Sequence, residues 1–326
     1  MTRANSTPDL LQKSSASIGE ALTAVVVSHD SARVLISCLS SLAEANAPVI
    51  LIDNASNDAS ATIGEAFGAR VLRNPRNEGF GRAMNLGVQI AQTPFVLLVN
   101  PDLTLEPGAV RRLLEAANRY ENAAILAPRI TEPDGRISFS NRSLLAPYLK
   151  NTAGVKWAPE GDCCTPFLAG ACWLVRREAI LSLGGFDPEI FLFYEDDDLC
   201  RRVIDAGYSV VHVHDAIALH ERGASSAPAP GRAFKARFHL AWSRLYVSKK
   251  WGVSENPWPW AIRAGFKFLF AAAILNRKRM ERYWGTIAGF IAQQRGERAL
   301  AREGLIAYPK PRPAIAVSLQ PDSKPL

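Results

Sequence analysis

Four times in its N-terminal third the chain repeats one pattern, a short apolar run followed by a stretch with amphipathic-helix spacing. The runs are residues 24–27, 49–52, 71–72 and 95–99. A continuous run of Val, Ile and Leu has no polar face, so it suits a strand buried on both sides. Such strands alternating with helices predict a parallel sheet with right-handed crossovers. Open sheets of this kind bind ligands at the C-terminal ends of their strands. Three runs end there in polar residues: Ser28-His29-Asp30, Asp53-Asn54 and Asn100-Pro101-Asp102.

Helical spacing continues at Val34, Leu35, Cys38, Leu39 and Leu42. Further helices are expected from Asp58 or Ser60, over 80–92, from Pro107 and over 195–206. Residues 167–175 read as extended, 210–214 and 216–220 as strands, and 141–165 as a long loop. Helices follow from about 232 to 298. The expected organisation is a disordered lead (1–20), an α/β domain (21–223), a flexible loop (224–231), a helical extension (232–300) and a tail (301–326).

The 326 residues suffice for one large domain and an appendage. Five cysteines, without Cys-x-x-Cys spacing, suggest neither a disulfide framework nor a zinc site, and fit a reducing cytoplasm. The lead has no apolar core of a signal peptide. Residues 231–310 carry 16 Lys/Arg against 4 Glu, or +12, within a chain of +7. They also hold Trp242, Trp251, Trp258, Trp260 and Trp284, five of seven tryptophans. Basic charge mixed with tryptophan suits an anionic membrane surface, reached peripherally from the cytoplasm. The apolar stretch 261–275 is too short to span a bilayer. Its Ile262, Phe266, Leu269 and Ala273 share one helical face suited to the interface. The opposing account is a helical subdomain core or a homo-oligomer contact. No nucleic-acid motif accompanies the charge, so nucleic acid is not an expected partner.

A carboxylate at the Asp53 position can accept the imide N–H of uracil or thymine; an Asx turn is the plainer alternative. Asp102 ends the fourth run, and His220 ends the last expected strand. Together they offer donors for Mg2+ or Mn2+, with a bound diphosphate completing the shell. Residues 77–85 place Gly79, Gly81 and Arg82 at a helix start beside Asn77 and Arg76, where amides and charge can hold phosphate or sugar hydroxyls. Neither a P-loop nor a dinucleotide fingerprint is present. Glu195-Asp196-Asp197-Asp198 opens a helix; the dipole favours one or two acids there, but four in a row repel. Crowding raises at least one pKa, as a general base requires. Helical geometry lets one or two face a cleft, and Asp196 is chosen as the base, with Glu195 second.

In this order, the runs Val25-Val26-Val27-Ser28-His29-Asp30, Asp53-Asn54-Ala55-Ser56-Asn57-Asp58, Asn77-Glu78-Gly79-Phe80-Gly81 and Asn100-Pro101-Asp102 resemble the inverting family 2 glycosyltransferases of the GT-A fold. Gly170-Ala171-Cys172-Trp173-Leu174-Val175-Arg176-Arg177, Gly184-Gly185-Phe186-Asp187, Phe193-Tyr194-Glu195-Asp196 and Asp198-Leu199-Cys200 extend the match over 23–223, nearest the rhamnosyltransferase-like branch. The resemblance implies a GT-A α/β fold with a mostly parallel central sheet. It implies transfer of a sugar from a dTDP- or UDP-linked donor to a saccharide or polyprenyl-linked acceptor in cell-surface polysaccharide synthesis. Ser28, Asp53, Asn77, Gly79, Arg82 and Asn100 then serve the nucleotide, Asp102 and His220 the metal. Gly170, Ala171 and Trp173 serve the donor or acceptor sugar. Three positions depart from the pattern. Asn100 stands for the first Asp of the common motif, His29-Asp30 for Tyr-Asn, and Asp197 is an extra acid. A nucleotidyltransferase is the rival enzyme, but it would carry a Gly-rich basic loop where Ser28-His29-Asp30 stands. A non-catalytic sugar-nucleotide-binding protein is the other alternative, separated by donor hydrolysis.

Overall fold

The computed structural model describes residues 17–139, 143–145, 159–221, 223, 225–226, 229–254 and 256–305. Most of the expected lead, part of the 224–231 segment and most of the tail lie outside the described residues. At the edge of that lead, Ile18–Ala21 form a helical turn (α1) closed by a Ser17/Glu20 capping box.

The repeated pattern becomes β1 (Leu22–Ser28), α2 (Ala32–Glu44), β2 (Val49–Asp53), α3 (Ser60–Ala66), β3 (Arg70–Arg73), α4 (Phe80–Ile90) and β4 (Phe95–Val99). The strands lie in the order β3-β2-β1-β4, all parallel. β5 (Leu103–Leu105), α5 (Ala109–Arg119), β6 (Ala123–Thr131), β7 (Cys163–Cys164), β8 (Cys172–Arg176), α6 (Arg177–Ser182), α7 (Glu195–Asp205) and β9 (Ser209–His220) complete the α/β unit. The sheet continues β8-β6-β9-β5, with β7 on β9. This half is mixed where a mostly parallel sheet was expected. β8 runs antiparallel to β4 and β6, and β5 and β7 run antiparallel to β9. The two strands expected over 210–220 are one strand, β9. Its pairing with β6 shifts register where Pro128 pairs with Val213 and Arg129 with Ile217, which explains the apparent break at Asp215.

Every residue of β1 is buried. Its Leu22, Ala24 and Val26 join α2 and α5 through Leu35, Leu39 and Leu113. Val25 and Val27 face the other way, with Met84 and Val88 of α4 and Leu199 of α7. The period of two therefore builds a three-layer α/β/α core. Two glycines let helices close on the sheet. A Cβ at Gly87 would lie 2.2 Å from Val25 Cγ1, and one at Gly64 would lie 2.3 Å from Leu51 Cδ2.

The extension consists of α8 (Arg232–Lys250), α9 (Trp258–Ala273), α10 (Arg277–Gln294) and α11 (Ala299–Arg302). Gly285 and Gly289 seat α10 against α8, where added Cβ atoms would fall 2.4 Å from Phe234 O and 2.3 Å from Phe238 O. The tryptophans divide. Trp242 packs inward with Phe238 and stacks on Tyr246 at 5.0 Å, whereas Trp258 and Trp284 are exposed.

The sheet contact predicts a contrast between two helical glycines. Gly87→Ala overpacks α4 against Val25 and lowers stability by about 1–3 kcal/mol. Gly265→Ala in α9 meets no atom within 4 Å, so it is neutral or stabilising by up to about 1 kcal/mol. Urea denaturation of both variants measures the difference. Equal losses at the two positions would contradict the packing described.

Candidate active site

The C-terminal edge of the parallel strands gathers the first half of the site. Ser28 and Asp53 end β1 and β2 in register, and both are buried. Ser28 Oγ donates to Asp53 Oδ1 at 3.2 Å and Ser56 N to Oδ2 at 3.4 Å. About half of the carboxylate's acceptor positions are thereby taken. Asn54 then ties the next loop to the sheet. Its Nδ2 donates to Asn77 Oδ1 (2.9 Å) and Gly79 O (3.2 Å), while its Oδ1 accepts from Asn74 Nδ2 (2.9 Å) and Glu78 N (3.0 Å).

That network changes the reading of three expected nucleotide residues. Asn77 Oδ1 also accepts from Gly79 N at 2.9 Å. Gly79 has φ +86, and a Cβ there would sit 2.6 Å from Phe191 O, so only glycine admits the crossing. Arg82, expected at a phosphate, is buried. Its Nε donates to Pro188 O at 2.7 Å and its Nη1 reaches Glu78 Oε2 at 3.3 Å. These groups hold residues 187–191 against the start of α4, so Arg82 braces the fold where a phosphate contact was expected.

Asn100 and Asp102 follow β4. Asn100 N donates to Ala171 O at 2.9 Å, while its buried Oδ1 has no hydrogen-bond partner among the described residues. Asp102 is buried with Oδ1 3.2 Å from His220 Nε2, and its Oδ2 accepts from Ser225 Oγ at 2.6 Å. Topology makes this pair: β5 runs antiparallel to β9 with Leu103 opposite His220. Burial pushes the Asp102 carboxyl up, but hydrogen bonds from His220 and Ser225, with the His220 charge, outweigh it and hold the pKa below the usual carboxylate value. Ser225 also accepts Ser31 Oγ on its carbonyl at 2.5 Å, linking the segment after β9 to the loop after β1. A carboxylate oxygen, an imidazole nitrogen and an unpartnered amide oxygen at one strand end fit a hard divalent cation. Among the described residues no group of three or more His, Cys, Asp or Glu gathers, so the protein side of such a site is sparse.

The second half is the start of α7. Phe193 (φ 68) and Tyr194 (φ 66) precede it in left-handed conformation, each costing about 1–3 kcal/mol. Of six non-glycine residues with positive φ among those described, Phe193 and Tyr194 precede α7, while Asp30 and Ala55 lie in the loops after β1 and β2. The four acids diverge as helical geometry requires. Glu195, Asp197 and Asp198 are buried, and Asp196 is half-buried. Gly170 N donates to Asp196 Oδ2 at 3.2 Å and Asp197 N to its Oδ1 at 2.9 Å. Burial and the Asp196 charge push Glu195 up to about 8. The same causes push Asp197 to about 7, against hydrogen bonds from Ser143 Oγ (2.7 Å) and Leu144 N. Burial also raises Asp196, partly offset by its two backbone amides. Asp198 pairs with Arg202 Nε (2.9 Å), Lys250 Nζ (2.6 Å) and Trp251 Nε1 (2.9 Å). Glu195, the second choice for base, is enclosed with Oε2 unpartnered among the described residues.

Gly170 touches the acid cluster directly, since a Cβ there would be 3.4 Å from Asp196 Cβ. Ala171 is buried and supplies the carbonyl for Asn100. Trp173, expected at a sugar, is a correction. It is 1% exposed and stacks on Phe186 at 6.1 Å inside the core, leaving no face for a ligand. Sequence reasoning missed Asn54 and Ser225. Asn54 had a signal in the asparagines spaced along 54–77; Ser225 had none, because its partner lies 123 residues away.

A family model described as "Glycosyl transferase family 2" matches residues 23–184. The N-acetylglucosaminyl-diphospho-decaprenol L-rhamnosyltransferase of Mycobacterium tuberculosis is 30% identical over 274 residues, covering 74% of this chain and 89% of that protein. The pre-mycofactocin glycosyltransferase of the same organism is 29% identical over 178 residues, 53% of this chain and 37% of that one. In fold, the crystal structure of GalNAc-T7 with UDP, GalNAc and Mn2+ superposes with a TM-score of 0.53 at 15% identity, over 84% of this chain and 56% of that one. The chain belongs to glycosyl transferase family 2, as a GT-A glycosyltransferase of the rhamnosyltransferase-like kind.

Proposed function

We propose that this enzyme inverts configuration as it moves L-rhamnose from a nucleoside-diphosphate donor to a polyprenyl-diphosphate-linked N-acetylglucosamine acceptor. The work belongs to cell-surface polysaccharide synthesis, at the cytoplasmic face of a membrane. Support for sugar and acceptor comes from the mycobacterial relative, whose name states both. Support for a dTDP- or UDP-linked donor is Asp53, a strand-end carboxylate able to accept a pyrimidine imide. The observation that carries the mechanism is Asp196. It alone of the four acids keeps partial exposure, and two backbone amides fix its carboxylate.

Asp196 accepts the acceptor hydroxyl's proton, and that oxygen attacks the anomeric carbon. The bond to the diphosphate breaks on the opposite face, and the leaving oxygen keeps the electron pair. Glu195 and Asp197 are shifted toward the neutral form, and Asp198 is taken up by its cationic partners. That leaves Asp196 as the carboxylate without an ion-pair partner among the described residues, and its raised pKa makes it the stronger base. Asp102 and His220, with Asn100 beside them, would hold Mg2+ or Mn2+, which supplies Lewis-acid neutralisation of the leaving diphosphate.

Transfer from dTDP-rhamnose to detergent-solubilised polyprenyl-diphosphate N-acetylglucosamine, with either metal, tests the reading; donor intact under all conditions would remove it. Asp196→Asn lowers kcat by about a hundredfold or more with donor Kd little changed. If Glu195→Gln or Asp197→Asn shows the large loss and Asp196→Asn the small one, the base is misassigned. Asp102→Ala abolishes divalent-dependent turnover with the fold retained, as circular dichroism and titration of the metal concentration will show; turnover surviving EDTA would count against it.

The acid cluster also sets a pH dependence of stability. Glu195 moves from 4.5 unfolded to about 8 folded. Between those values the folded state binds the extra proton, so stability falls as pH rises from about 4.5 through about 8. Asp197 acts in the same direction. Glu195→Gln therefore flattens the decline in Tm across this window, and an unchanged slope in thermal melts would argue against a buried neutral Glu195.

A further inference from the structure

The extension presents an apolar face that is exposed among the described residues. Along α9, Trp258, Ile262, Phe266, Leu269 and Phe270 follow one another at helical spacing, and all are exposed, Phe266 to 70%. Ala264 and Ala271, on the opposite side, are buried. Trp260 and Phe268 pack on Phe290 and Trp284 of α10, but Ile262, Phe266, Leu269 and Phe270 face solvent, unlike the polar outer face of an ordinary amphipathic surface helix. At the α9–α10 turn the chain goes further. Leu275 adopts a left-handed φ of 54 and stands 85% exposed beside exposed Ile274. The left-handed turn closes α9, with Leu275 N donating to Ala272 O at 3.0 Å and Asn276 N to Ala271 O at 2.9 Å, and a leucine where glycine is usual leaves a large apolar side chain in water.

Charge identifies the occupant. From 258 to 294 the chain has six Lys/Arg (Arg263, Lys267, Arg277, Lys278, Arg279, Arg282) against Glu281 alone, a net +5. All six are exposed. Arg263 and Lys267 lie one turn apart on the flank of the apolar stripe, and Arg277, Lys278 and Arg279 follow directly after the Leu275 tip. A second copy of this face would bring +5 against +5, which opposes self-association. No helix among the described residues is long and apolar enough to cross a membrane. At 16 residues α9 is about 24 Å long, a length suited to lying in the interface.

We propose that α9 and the α9–α10 tip dock this enzyme on an anionic lipid surface, with Phe266, Leu269 and Leu275 entering the interface and the flanking Lys/Arg meeting lipid phosphates. This deepens the reading of a lipid-linked acceptor and rests on it only for its purpose, since docking requires no acceptor.

Co-sedimentation of the full chain with phosphatidylcholine vesicles, and with vesicles of phosphatidylcholine and phosphatidylglycerol, tests it. The chain pellets with the anionic vesicles at low salt, stays free of the neutral ones, and is released as salt screens the charges. Phe266→Asp with Leu269→Asp lowers the bound fraction about tenfold or more, and Arg277→Glu with Arg279→Glu does the same. Both pairs keep wild-type Tm and wild-type transfer to the detergent-solubilised acceptor, because these side chains lie on the surface. Equal binding to both vesicle types, binding to neither, or wild-type pelleting by the variants overturns the proposal. So does a wild-type dimer in light scattering that Phe266→Asp with Leu269→Asp converts to a monomer, which would make the face a contact between copies. Intact vesicle binding without sugar transfer would overturn the proposed reaction and leave the docking surface standing.

Discussion

The first turn of α7 must keep four consecutive carboxylates in a folded protein, three of them buried. An isolated buried charge is untenable, so each acid needs its own solution. Asp198 takes Arg202, Lys250 and Trp251. Glu195 and Asp197 move toward the neutral form. Asp196 keeps partial exposure and two backbone amides. Separating four chemically similar groups in this way leaves Asp196, the base proposed above, as the one that keeps partial exposure. Removing both Arg202 and Lys250 would leave a buried charge uncompensated, at a cost of about 3–5 kcal/mol.

Two of those partners, Lys250 and Trp251, come from the end of α8. The extension therefore packs directly against the start of α7. It grips the preceding loop as well. Tyr246 Oη and Lys250 Nζ reach Asp187 Oδ2 at 3.0 and 2.6 Å, Ser243 Oγ donates to Leu192 O at 2.9 Å, and His239 stacks on Phe191 at 4.4 Å. From the other side Arg82 holds Pro188, and Gly79 admits Phe191. Residues 187–194 are thus clamped between α4 and α8, which stabilises the strained Phe193–Tyr194 pair ahead of Asp196.

What the sequence made legible follows from how local the cause is. β1, β2 and β4 are continuous apolar runs, and the polar residues closing them are local too, so the strand-end placement of Ser28, Asp53 and Asp102 could be read directly. β6 was hidden because Ala123, Ala124 and Ala127 carry little strand preference. β5 has three residues, too few to show a period. Arg82 misled because a guanidinium at a helix start looks like phosphate chemistry until burial is known, and Trp173 because the resemblance that implied its role says nothing of its burial. Asp102 and His220 could be paired only as candidates, since the antiparallel turn-back of β9 onto β5 leaves no mark in either segment.

The same distinction explains why the two halves of the site differ in character. The strand-end half is built from backbone register, Ser28 beside Asp53 and Leu103 beside His220, so its geometry is set by the sheet. The α7 half is built from side-chain contacts that run out through Asp198 and Asp187 into α8. Through the seating of α10 on α8 at Gly285 and Gly289 they continue toward the uncovered face of α9. A rigid donor edge and a base anchored to a surface-facing extension suit a reaction with one soluble and one lipid-borne substrate. On the reading proposed above, the soluble one meets preformed geometry, and orienting the extension on a surface would also orient Asp196, the carboxylate proposed to take the acceptor's proton.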